Sequence, residues 1–69
     1  MPTNQEIAER LKNLRVAMNM SQNDFAEKLG VSGSSIAMYE CGDRVPRDAI
    51  KVKIAKIFNV SVQSIFFDD

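Results

Sequence analysis

The feature that most constrains this chain is how closely its helix stop and start signals follow one another. Between Leu29 and Gly33 one helix must end and the next begin. Gly30 suits a left-handed residue just past a helix end, and Ser32 suits an N-cap. The same punctuation recurs along the chain. Thr3 and Glu6 stand in capping-box register, Ser21 opens a second segment and Gly42 closes a third. Asp48 is placed to cap a fourth segment, Asn59 to end it, and Ser61 to cap a fifth. Between these signals the apolar residues keep helical period. Ile7, Leu11, Leu14 and Met18 form one stripe; Ile50, Ile54, Ala55, Ile57 and Phe58 form another; Val62, Ile65 and Phe66 close the chain. No strand-like alternation occurs. Helices are therefore expected over about 4–18, 22–29, 33–41, 48–58 and 62–66, in an all-α, compact bundle of five short helices forming one domain over residues 1–69.

At 69 residues such a bundle needs a dense core, because a chain this short buries only about 60% of the surface it exposes when unfolded. A hydrophobic content of 45%, with 3 Gly and 2 Pro, is consistent with that. The composition also narrows the chemistry. There is no histidine and a single cysteine, Cys41, so His-based acid–base catalysis, a Cys/His metal set and an internal disulfide are excluded. No Gly-rich phosphate loop and no carboxylate pair tied to a nucleophile is present. No catalytic residue, metal or cofactor is expected, no small-molecule pocket is evident, and the apolar runs are too short for a membrane span. A reducing, cytoplasmic setting is expected, with Cys41 inert rather than a redox switch.

Two short helices joined by a tight turn containing Gly form a helix-turn-helix, with its core at about 21–41. Ala26 stands where the two helices must cross closely, and Val31 and Ile36 are placed to anchor the turn and the following helix. The stretch Ser21–Pro46 resembles the Cro/cI-type (XRE) family of phage and bacterial repressors. The matching residues are Ser21-Gln22, Ala26, Leu29-Gly30-Val31-Ser32, Ile36, Glu40, Gly42, Arg44 and Pro46, and the match continues through Lys53-Ile54-Ala55-Lys56, Val60-Ser61 and Ile65-Phe66. The resemblance implies a lambda-repressor-like DNA-binding domain. Its function would be that of a sequence-specific, nucleoid-associated transcriptional regulator, of the phage or mobile-element repressor kind. Helix 33–41 would lie in the major groove and helix 22–29 would cross the backbone.

Carried over residue by residue, the resemblance makes Gly33, Ser34 and Met38 the base-reading positions. None of them is Arg, Asn or Gln, so the bidentate readers of guanine and adenine are missing and shape readout gains weight. Met38 is either an apolar base contact or a tolerated surface residue. On the phosphate side the candidates are Gln22, Ser32, Ser35, Tyr39, Arg44 and Arg47. For Gln22 the alternative is support of a helix cap; for Tyr39, half-buried packing; for the two arginines, an ordinary solvated loop. Arg15 and Glu40 match a pair that ties the third helix to the first, so both are assigned a structural role.

The implied partner is double-stranded DNA, bound by a homodimer that spans a palindromic operator. A self-association surface is expected at the C-terminal end, through Ile65 and Phe67, with Phe66 turned inward. The formal net charge of zero, from 9 basic and 9 acidic residues, is at odds with the usual basic footprint of a DNA binder. The zero hides a polarity. Residues 1–27 carry a net −1, residues 28–56 carry +3, and Asp68 and Asp69 supply the remaining −2. A basic contact face with acidic chain ends is expected, and a shallow salt dependence with it. The competing reading is a protein-interaction module, antitoxin-like or anti-repressor, that keeps the fold with weak or no DNA binding.

Overall fold

The computed structural model describes residues 1–69 and contains five helices: α1 (Asn4–Ala17), α2 (Gln22–Leu29), α3 (Gly33–Cys41), α4 (Asp48–Phe58) and α5 (Val62–Phe66). Four of the five begin on a side-chain cap. The Thr3 hydroxyl accepts from the Glu6 N–H at 3.1 Å while the Glu6 carboxylate accepts from the Thr3 N–H at 3.0 Å. Ser21 and Asp24 repeat that exchange at 3.0 and 3.1 Å. Ser32 and Ser61 accept from the N–H groups of Ser35 and Ser64 at 3.2 and 3.0 Å. Each cap satisfies a donor that the first helical turn otherwise leaves unpaired. In the capping boxes, those amide hydrogen bonds also hold the Glu6 and Asp24 carboxyls below their ordinary pKa values.

α4 departs from expectation. Its cap is Arg47, which makes no side-chain capping bond. Asp48 is the first helical residue and is exposed, 3.6 Å from Lys51. One position inside the helix, its charge complements the helix dipole instead of capping a free N–H. The end of α1 departs as well. Met18 lies beyond the last helical residue and is 55% exposed rather than part of the apolar stripe. The chain leaves α1 through Asn19, whose φ of 56° is left-handed. In that last turn Leu14 packs against the core.

The core is one cluster in which Leu11, Phe25, Leu29, Ile36, Ile54 and Phe66 are the largest fully buried side chains. Phe25 and Phe58 meet tilted at 57°, with ring centroids 5.3 Å apart. α3 packs against both α1 and α2; α5 packs against α4 and α1. The Arg10 guanidinium donates to the carbonyls of Ser64 and Ile65 at 3.3 and 3.0 Å, which satisfies the end of α5 from α1. The whole measures 28 × 24 × 22 Å.

Candidate nucleic-acid interface

The α2–α3 turn is made by local chemistry. Gly30 has φ of 72°, a conformation in which a side chain is strained. The following Val31 N–H returns to the Ala26 carbonyl at 3.0 Å, which closes α2. Ser32 then starts α3 at once. Its hydroxyl lies 3.0 Å from those of both Ser34 and Ser35, so three hydroxyls cluster at the mouth of the helix. At the far end Gly42 has φ of 86°. A Cβ there would also meet the Gln5 Nε2 at 2.6 Å, because that amide donates to the Cys41 carbonyl at 2.8 Å.

Ile36 is fully buried, which turns Ser34, Ala37 and Cys41 to solvent and leaves Gly33 and Met38 half-buried beside them. The side chains of α3 are thereby sorted. One face is locked into the core and the other carries the three expected base-reading positions. The Cys41 thiol faces outward and donates to the Met38 carbonyl at 3.5 Å.

The orientation of that face is held by Arg15 and Glu40. The guanidinium donates to both carboxylate oxygens, from Nε at 2.7 Å and Nη2 at 3.0 Å, and from Nη1 to the Met20 carbonyl at 2.8 Å. Side-chain exposures of 12% and 4% make this a buried, bidentate pair. The hydrogen bond to Glu40 raises the Arg15 pKa above its ordinary value, against the opposing effect of burial. Gln22 joins the same group, donating from Nε2 to Glu40 at 3.2 Å. Its amide is thereby engaged with the carboxylate that α3 presents.

Tyr39 lies inside the core at 7% exposure, so its ring is packing and not a free surface group. Every buried side-chain nitrogen or oxygen has a hydrogen-bond partner, so the Tyr39 hydroxyl, which has none within the chain, reaches solvent. Tyr39 lines a cavity of about 380 Å³ together with Val31, Ser35, Arg44, Val45, Arg47 and Ile50. Arg44 and Arg47 themselves are exposed. Four of the residues expected on the phosphate side are therefore gathered around one concavity next to α3.

The expected self-association residues separate. Ile65 is 2% exposed and belongs to the core, so it offers no surface to a partner. With Phe66 it faces inward on the single buried side of a five-residue helix. Phe67, just past that helix, is 38% exposed, with the Lys51 ammonium 5.3 Å from its ring centroid. Two tethers had no sequence signal: Arg10 on the end of α5 and Gln5 on the end of α3. Each reaches more than thirty residues along the chain, to a backbone carbonyl that any residue would supply. No group of three His, Cys, Asp or Glu side chains comes together, and no helix is long and apolar enough to cross a membrane.

The helix-turn-helix family model HTH_3 matches residues 11–65. An HTH-type transcriptional regulator of Methanocaldococcus jannaschii is 42% identical over 83% of this chain and 86% of its own length. The cryptic phage CTXphi transcriptional repressor RstR of Vibrio cholerae is 37% identical over 87% of this chain, which spans 54% of that protein. Among solved structures, the restriction-modification controller protein C.AhdI of Aeromonas hydrophila superposes with a TM-score of 0.82 at 25% identity, covering 91% of this chain and 96% of its own. With the family model matched over most of its length, the chain belongs to the XRE-type helix-turn-helix family of DNA-binding transcriptional regulators.

Proposed function

We propose that this protein is a sequence-specific repressor of the small phage or mobile-element kind. It binds a palindromic operator as a homodimer, with α3 of each protomer in the major groove. The observation that carries the reading is the concavity beside α3 that Ser35, Tyr39, Arg44 and Arg47 help to line. Two guanidinium groups and two hydroxyls at one edge of an exposed helix face suit a phosphate next to a groove. Adjacent half-sites on one face of DNA lie about 34 Å apart. Phe67 is the surface we assign to the contact between protomers. The likeness to RstR, a phage repressor, supports the regulatory sense. Gln22 contributes by holding Glu40.

Selection of bound fragments from random DNA, followed by a salt titration on the selected site, tests the reading. Each phosphate contact contributes about 0.9 to the log–log slope, so a dimer using Arg44 and Arg47 on each half gives a slope near −4. Enrichment of an inverted repeat and a slope of that size are the expected results. Absence of any binding at low salt would overturn the proposal and favour a protein-interaction module built on the same fold.

A further inference from the structure

The recognition helix has a glycine at its first position, and the space that a side chain would occupy there is already filled. A Cβ built on Gly33 would lie 2.7 Å from the Oδ1 and 3.9 Å from the Cγ of Asn23. The carboxamide of Asn23, on the first turn of α2, therefore lies directly over the start of α3. The polar groups around it are committed elsewhere. Gln22 donates to Glu40, Asp24 exchanges hydrogen bonds with Ser21, and Ser32 bonds to Ser34 and Ser35. Asn23 itself is exposed, and its side chain makes no hydrogen bond within the chain. Its amide presents a donor and an acceptor side by side at the end of α3 that leads into the groove.

We propose that Asn23 is a specificity-determining residue that reads an adenine in each half-site, standing in for the side chain that Gly33 lacks. The chemistry is the match between a carboxamide and the N6 and N7 edge of adenine in the major groove, the pairing that Asn and Gln make best. The outward face of α3 offers only Ser34, Ala37, Met38 and Cys41, none with a paired donor and acceptor. Asn23 supplies that pair from the neighbouring helix. Gly33 acquires a purpose in the same step, since any larger residue would push the carboxamide aside. The inference rests on the reading that α3 enters the major groove.

The test compares site selection by the wild-type protein with that by Asn23→Ala and Gly33→Ala. Asn23 is exposed and Gly33 needs no unusual backbone conformation, so both variants should fold; thermal melts verify this. The expected result is an adenine preference at one position per half-site that the wild type shows and both variants lose, with the other positions unchanged. Discrimination at that position should fall by about ten- to a hundredfold. Because both changes remove the same contact, the double variant should lose no more than either single one. An Asn23→Ala protein that selects the wild-type site with its adenine intact overturns the proposal. So does one that loses affinity equally for all sequences, the mark of a contact to the DNA backbone and not to a base. If the wild type selects no sequence at all, the groove-binding reading falls and takes this one with it. If it selects a site that Asn23→Ala reads identically, only this inference fails.

Discussion

Truncating Glu40 to alanine is the sharpest probe of what holds α3. The change would leave the Arg15 guanidinium, whose side chain is 12% exposed, with the Met20 carbonyl as its one remaining partner in this group. It would also free the Gln22 amide. Removing one member of a buried pair costs about 3–5 kcal/mol. The lower figure applies here, because the 2.8 Å bond to Met20 persists and Arg15 lies near enough to the surface to be partly rehydrated. At about 2.1 cal/mol/K per residue, a chain of 69 residues unfolds with an entropy of about 0.14 kcal/mol/K. A loss of about 3 kcal/mol then lowers the Tm by about 20 °C. Circular dichroism melts at neutral pH, away from carboxylate titration, read this directly. The paired change Arg15→Met with Glu40→Leu is the informative companion. It removes both charges and their desolvation together, so it should recover much of the loss. A Glu40→Ala shift under about 3 °C would show that the clamp contributes little. A double variant whose loss equals the sum of the two single losses would show that the two residues are not coupled, and would refute the reasoning from geometry.

Further consequences can be measured. The capping-box carboxyls Glu6 and Asp24 have native pKa values below their ordinary 4.5 and 3.8, so the stability they add is complete above those ordinary values and is lost as pH falls through the lowered native ones. Denaturant midpoints followed from pH 6 downward should therefore drop below about pH 4, and Glu6→Gln with Asp24→Asn should flatten that drop. Ile65→Ala should cost about 2–5 kcal/mol in chemical unfolding, as a buried aliphatic does. Phe67→Ala should leave the melt nearly unchanged while weakening self-association in sedimentation, and a reversed pattern would move the contact surface elsewhere. Arg44→Ala and Arg47→Ala should each reduce affinity for all sequences alike and flatten the salt slope by about 2 per dimer, read by fluorescence anisotropy.

The helix boundaries were almost wholly legible in the chain, because a cap is a contact between residues three apart and needs no tertiary partner. Ser21, Ser32 and Ser61 each receive the amide N–H that their position dictates, and Gly30 and Gly42 both sit left-handed. α4 was one exception: Asp48, the expected cap, is its first helical residue, and Arg47 holds the cap position without a side-chain bond. Roles that depend on depth were less legible. Tyr39 and Ile65 fit the surface or the interior equally well by type, and both proved buried.

By itself the sequence determined that there are five short helices, where each begins and ends, and which family of turn joins the second to the third. These properties are local, set by caps and by the period of the apolar residues. Only the tertiary structure decided which side chains those helices expose. It engaged Gln22 with Glu40, brought Tyr39, Arg44 and Arg47 to one cavity, and laid the Asn23 carboxamide over Gly33. The physical reason is that hydrogen-bond partners and burial are properties of pairs brought together by packing. Asn23 and Gly33 lie on different helices, and no spacing along the chain marks them as neighbours.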